Sequence, residues 1–216
     1  MMQIVVAGAC TPLGQALLRA IVERRVLTNG IAVEAPVQRV LAVDRAQPGG
    51  LFVDPAVEYV RGNYEQPRFL ARMMGTTTDS IFDLSALNAG VEAGPPDAVI
   101  PPDLDAALVN SLDSTRALLE ACRFQTVAPK LVMASMLAAR PSGGALAHST
   151  IANCCAMCEI LVDEYARRAL VDARIVRLPD VAQMRLEESA RALIDAHELA
   201  RADKQAAQVV EIAVQP

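Results

Sequence analysis

The stretch HSTIANCCAMCEILVDEY, residues 148–165, sets three thiols within five positions: Cys154, Cys155 and Cys158. Thiols so spaced can hold a metal, exchange a disulfide or attack a carbonyl. A structural zinc site wants four ligands, usually from two separated pairs. The other cysteines, Cys10 and Cys122, stand singly, and no His-x-x-x-His accompanies them. A thioredoxin-like Cys-x-x-Cys sits at a helix start after a strand, whereas Cys155 and Cys158 fall inside a helical pattern. Ile151, Cys155, Cys158, Val162 and Tyr165 recur at helical spacing, so the thiols read as small, soft apolar residues turned toward a packed partner. No metal is expected. Just before this helix, Ser149 or Thr150 suits the N-cap. His148 reads as a loop or helix-start histidine, with proton transfer as its alternative. Cys155 becomes a nucleophile only if a helix N-terminus or a cation lowers its pKa.

A second set of residues opens the chain. QIVVAGACTPLGQALLRAIVERRVL is an apolar strand, a turn holding Gly8 and Gly14, and an apolar run with Leu13, Leu17, Ala20 and Ile21 at helical spacing. Pro12 suits the first helical turn. Such a junction aims helix-end N–H groups and the helix dipole at an anion such as a diphosphate. The run VQRVLAVDR ends on Asp44, an acid placed to accept hydrogen bonds from a ribose diol.

The elements that must position these residues alternate. Strands are expected at QIVVA, VQRVLAVDR, AVEYVRGNY, DSIFDLSAL, PKLVMAS, ARIVRLP and QVVEIAV. Helices are expected after the first strand, over PPDLDAALVNSLDSTRALLEACRF with Leu104, Leu108, Leu112 and Leu119 on one side, from the cysteine stretch to about Leu170, and over LEESARALIDAHELA. That alternation predicts an α/β fold, a Rossmann-like doubly wound parallel sheet of about seven strands covered on both faces. Residues 1–216 read as one domain, 1–181 the core and 182–216 a shortened C-terminal part. With 53% hydrophobic but only 3% aromatic residues, the core must be built from Ala, Val, Leu, Ile and Met. A net charge of -5 without a basic block argues against nucleic acid. No apolar run approaches the roughly 18 residues of a membrane span, and five cysteines, an odd number, fit a reducing cytoplasm.

Three longer stretches carry a resemblance. LDSTRALLEACR, EILVDEYARRALVDARIVRLPDV and ALIDAHEL are similar to segments of the extended short-chain dehydrogenase/reductase family, in which epimerases and dehydratases bind NAD, and within it to the D-erythronate dehydrogenase-like proteins. The likeness runs from residue 3 to about 181, with a further piece at 186–199. It implies an NAD site lined by Gly8, Cys10, Thr11, Leu13, Gly14, Asp44, Asn63, Leu84, Ser85 and Ala86. Asp44 favours NAD over NADP because a carboxylate repels a 2′-phosphate, a preference that Arg45 softens. It further implies a homodimer formed through helices four and five.

Departures from the family pattern are as informative as the match. The GxxGxxG turn has Thr11 in its middle position, where a β-branched side chain would crowd the phosphates, and Pro12 has no N–H to donate. The tyrosine, lysine and serine that the family's hydride transfer requires align with Ile151, Cys155 and Met136. Ser135 keeps the first serine of the strand-five pattern, and the helix-four asparagine aligns with Ser111, one place from Asn110. Tyr165 lies far down the helix, and the lysines, Lys130 and Lys204, lie off it. The material after VRLPDV that encloses a substrate in the family looks largely missing. The resemblance therefore implies a degenerate, catalytically silent member, a pseudoenzyme, sensor or binding protein. The alternatives are an NAD-dependent epimerase/dehydratase-type oxidoreductase, or a lyase or isomerase using His148 or Cys155.

Overall fold

A computed structural model describes residues 2–45, 50–62, 66–88, 104–140, 149–180, 183–200 and 206–212. The strands, in chain order, are β1 (Met2–Ala7), β2 (Val26–Thr28), β3 (Glu34–Asp44), β4 (Val57–Arg61), β5 (Ser80–Asp83), β6 (Lys130–Met136), β7 (Asp172–Leu178) and β8 (Gln208–Glu211). They form one sheet whose parallel part runs β4-β3-β1-β5-β6-β7-β8. The middle strands β5 and β6 are buried throughout, as parallel strands covered on both faces must be. The chain leaves β1 toward β3 and β4, then returns past β1 to β5. Such a reversal, here between β1 and β5, marks the carboxyl strand ends where α/β sheets hold their ligands.

The helices are α1 (Pro12–Arg24), α2 (Pro67–Met74), α3 (Leu104–Leu108), α4 (Ser114–Cys122), α5 (Thr150–Arg167) and α6 (Leu186–Glu198). α1 packs on α6, while α2 packs on α4 and α4 on α5. The core between them is aliphatic, with Phe82 its one fully buried phenyl ring among the described residues. No helix among the described residues is long and apolar enough to cross a membrane.

The seven expected strands are present, and three local features differ from the sequence reading. β2 is an added short strand, antiparallel to Glu34–Pro36 of β3. α2 is an eight-residue helix with no long apolar repeat to announce it. The long helix expected from residue 101 is interrupted by a π turn, Val109–Asp113, between α3 and α4. There Ser111 Oγ donates to Ala107 O at 2.6 Å and Ser114 Oγ to Val109 O at 3.0 Å, hydroxyl bonds of the kind that bend a helix. Its leucines consequently do not share one environment: Leu119 is fully buried and Leu104 is 59% exposed.

Candidate cofactor and active site

The β1–α1 turn is held by its own polar groups. Gly8 has φ 78°, a left-handed conformation that glycine adopts without penalty. A Cβ on Gly14 would lie 2.5 Å from Gly8 O and 2.6 Å from Ala9 O, so only glycine lets α1 start this close to the turn. Thr11 caps α1, its Oγ1 accepting from Gly14 N at 3.1 Å and donating to Gly8 O at 2.8 Å. Gln15 braces the outside, its Nε2 donating to Ala9 O at 2.8 Å and its Oε1 accepting from Phe52 N at 2.7 Å. Tyr59 Oη donates to Phe52 O at 2.7 Å.

Asp44 ends β3 beside this turn. Its Oδ2 accepts from Cys10 N at 2.8 Å and its Oδ1 from Arg45 N at 2.7 Å. A carboxylate offers about four lone-pair sites, so capacity for a ribose hydroxyl remains. Burial, and then the Asp44 charge, push the Cys10 thiol up to about 11.

A dinucleotide also needs N–H groups for its diphosphate, and here the turn falls short. Gly8 N and Ala9 N donate to Val43 O, Cys10 N to Asp44, Thr11 N to Gly8 O, Gly14 N to Thr11 Oγ1 and Gln15 N to Thr11 O. Pro12 has none to give. Among the described residues, only the Leu13 N–H of this turn lacks an acceptor. Thr11 therefore engages a donor, besides the bulk expected to crowd the phosphates. The ribose side fits a nucleotide; the turn alone does not fit a diphosphate.

The other expected residues gather at the neighbouring strand ends. Leu84, Ser85 and Ala86 follow β5 and are buried. Ser85 turns inward: its N–H and Oγ donate to Asp83 Oδ1 at 2.9 and 2.5 Å, and Thr115 Oγ1 donates to Asp83 Oδ2 at 2.8 Å. Burial raises the Asp83 carboxyl above its ordinary value, and these bonds oppose the rise.

Cys155 is fully buried, its thiol 3.7 Å from Ala86 O and lying against Ser135 and Met136. Desolvation pushes it up to about 12, the reverse of an activated thiolate. Met136 is buried at the end of β6, and Ile151 packs against the pair Ala107 and Cys154. Ser111, on the π turn, is buried and bonded within its own helix. Asn63 and His148 lie outside the described residues.

Ser135 is also committed. Its Oγ donates to Glu159 Oε1 at 2.6 Å, and the buried Glu159 takes a two-pronged pair from Arg177 at 2.9 and 2.8 Å, with Arg140 at 3.4 Å. This network ties α5 to β6 and β7. Tyr165 Oη donates to Glu120, pinning α5 to α4, and burial, then Glu120, push its phenol up to about 12. Lys130 is buried at the start of β6, at the far end of the sheet, and donates to His197 O at 3.1 Å. Both residues are thus engaged in contacts between elements. Ser149 caps α5, accepting from Ala152 N at 3.1 Å. The five thiols are free, and the three of α5 are fully buried. Among the described residues, no three His, Cys, Asp or Glu side chains gather as a metal site.

Sequence reasoning passed over the Glu159–Arg177 pair. It depends on which residues of separate elements meet, and no local spacing encodes that.

Comparison with known proteins bears on this geometry. No family model matches the chain. It is 30% identical over 191 residues to a D-erythronate dehydrogenase of Cupriavidus necator, covering 83% of this chain and 55% of that protein. The chain thus spans about half the length of the curated relatives it matches. Among solved structures, a glucuronic acid dehydrogenase from Chromohalobacter salexigens superposes with a TM-score of 0.68 at 17% identity, over 97% of this chain and 76% of that one. The Bordetella bronchiseptica enzyme WbmF in complex with NAD+ superposes with a TM-score of 0.59 at 18% identity, over 82% and 49%.

Proposed function

From a chain that resembles the extended short-chain dehydrogenase/reductases in sequence and fold, with D-erythronate dehydrogenases as relatives, we propose a protein that keeps the family's nucleotide-binding frame and has given up hydride transfer. Its role is then to bind, as a sensor or partner protein, with NAD held weakly at the carboxyl strand ends. The observation that carries this reading is Cys155. Where the family's chemistry needs a cation and a phenol four residues apart, this helix has a buried thiol at about 12 and an isoleucine. Neither group can relay a proton at neutral pH, and Met136 cannot orient a substrate oxygen. When bound, a nicotinamide cofactor supplies hydride acceptance. This chain's own residues supply the Asp44 carboxylate for a ribose hydroxyl and the Leu13 N–H for a phosphate oxygen. Buried free thiols suit a cytoplasmic protein.

The second reading, an NAD-dependent oxidoreductase, is favoured by the 30% identity to D-erythronate dehydrogenase. The test is absorbance at 340 nm with NAD and D-erythronate or other small hydroxy acids. No NADH above the protein-free control is expected, while calorimetry detects NAD in the high micromolar to millimolar range. Sustained NADH production that scales with protein concentration would reject the silent reading.

A further inference from the structure

At the amino ends of the parallel strands, the opposite end of the sheet from the β1–α1 turn, lies a cavity of about 470 Å³. That volume is in the range of small-molecule sites. The start of β1 and three loops enclose it: Asn29–Ile31 at the tip of the β2–β3 hairpin, Thr76–Asp79 before β5 and Thr126–Pro129 before β6. Asn29 fixes the hairpin tip, its Oδ1 accepting from Ile31 N at 3.1 Å and from Val33 N at 3.0 Å. Thr126 ties the other two loops together, its N–H and its Oγ1 each donating to Thr76 O at 3.0 Å. A Cβ on Gly30 would lie 3.0 Å from Ala128 O, so the hairpin tip closes against the loop before β6. The cavity is built into the fold.

Its walls divide by chemistry. Ile31 and Val127, 65% and 52% exposed, present aliphatic surface to it. Arg39 also lines it, but Glu58 Oε2 takes its Nε at 2.9 Å and its Nη2 at 2.6 Å. Asp79 is differently placed. Its Oδ2 accepts from Gln3 N at 2.9 Å, while among the described residues its Oδ1 has no partner and no cation pairs with it. The hydroxyls of Thr76 and Thr77, in the same loop, make no bond among the described residues either.

We infer that this cavity binds a small organic ammonium ion, with Asp79 and the loop hydroxyls receiving the charged head and Ile31 and Val127 covering a short apolar body. An ammonium has three donors and no acceptor, which matches a carboxylate oxygen and hydroxyls that are still free. Its bond to a carboxylate is charge-assisted and so among the stronger ones. An anionic ligand fits poorly, because Glu58 already pairs with the guanidinium in the wall and Asp79 repels a second negative charge. Covering two exposed aliphatic side chains adds a hydrophobic contribution that a bare inorganic cation does not make.

The test compares butylamine, butanol and butyrate, each titrated into the unaltered protein at neutral pH and followed by the backbone amide signals. Butylamine is expected to saturate in the millimolar range, the weak binding that its few atoms allow, and to shift the amides of Gly30, Thr77 and Val127. Butanol and butyrate should bind about tenfold or more weakly, the loss expected when a bond to a charged group goes unmade. Asp79→Asn keeps an oxygen for Gln3 N and removes the charge, so it should bring butylamine down to the level of butanol. Ile31→Ser with Val127→Ser should weaken butylamine and spare methylamine. All these side chains lie outside the core, so the variants should melt within a few degrees of the parent, and the comparison of probes in the unaltered protein stands without them. Equal binding of butylamine and butanol, a preference for butyrate, or indifference to Asp79→Asn overturns the inference. So do shifts confined to the β1–α1 turn, or no saturation at tens of millimolar. NAD takes no part in these titrations, so their outcome is separate from the nucleotide reading.

Discussion

At the scale of single residues, the two glycines of the opening turn show how much a local pattern can carry. Gly14 is needed because a methyl group there meets the backbone oxygens of Gly8 and Ala9, which have no flexible end to yield. Gly14→Ala should lower stability by about 1–3 kcal/mol, the usual range for overpacking, read as a shift of the urea midpoint with unchanged slope. A midpoint within error of the unaltered protein would mean that α1 slides outward freely. The need for glycine at this position was legible in the sequence, because strand, turn and helix are contiguous. The fate of Thr11 was not. A threonine in a turn can point either way, and only its bonds to Gly8 O and Gly14 N show that it caps the helix from within. The same holds for Cys155: its register set it at the family's lysine position, but its burial and its contact with Ala86 O come from elements far apart in the chain.

At the scale of elements, α6 was predicted from its periodicity, yet what fastens it was invisible. Its last turn carries His197, fully buried and stacked on Phe82. His197 Nε2 pairs with Ser80 Oγ at 2.7 Å and Nδ1 with Glu198 Oε1 at 2.8 Å; Thr28 Oγ1 donates to Glu198 Oε2 at 2.6 Å. Lys130 Nζ and Arg174 Nη2 donate to the carbonyls of His197 and Leu199 at 3.1 and 2.7 Å, cations at a helix C-terminus where the dipole favours them. The consistent assignment is a neutral ring, donating from Nδ1 to Glu198 and accepting at Nε2 from Ser80. Burial lowers the His197 pKa below its ordinary 6.5, and the Lys130 and Arg174 charges add to that, against Glu198. The unfolded chain then binds more protons between the lowered value and 6.5, so this part of the stability is complete above about 6.5 and is lost as pH falls below it. The Glu198 carboxyl, held down to about 2 by its bonds to His197 and Thr28 against desolvation, adds a second loss between 4.5 and about 2. Urea midpoints should decline from pH 7.5 to 5, and His197→Gln, which can still bond on both sides, should flatten that decline. Parallel pH profiles for the two proteins would show that the acid sensitivity arises elsewhere.

At the scale of the whole molecule, alternation predicted a parallel sheet with helical layers but not its strand order, since β3 and β4 pair in parallel with no helix between them among the described residues. The added strand β2, three residues long, and the short α2 escaped because neither is long enough to show a period. Assembly is argued from what the helices leave outside. The cysteines face inward, so the small-residue stripe of α5 belongs to the interior; a charge at Cys158 would break the fold before it tested an interface. The outward face of α5 instead carries Met157, 36% exposed, and Ile160, 59% exposed, with Leu104 at the head of α3 59% exposed. Arg168 with Glu164 and Arg116 with Asp113 frame them as ion pairs. An apolar centre with a mixed-sign rim is self-complementary under a two-fold axis, and we propose that a second copy covers this face through α4 and α5. Sedimentation at tens of micromolar should give the dimer mass for the unaltered chain and the monomer mass for Met157→Glu with Ile160→Glu. Since both side chains are outside the core, the double variant should melt within a few degrees of the parent. A monomeric parent at that concentration removes the proposal. A dimer untouched by the double change moves the interface off α5, because two buried carboxylates facing their own symmetry copies would be too costly for an interface centred there to tolerate.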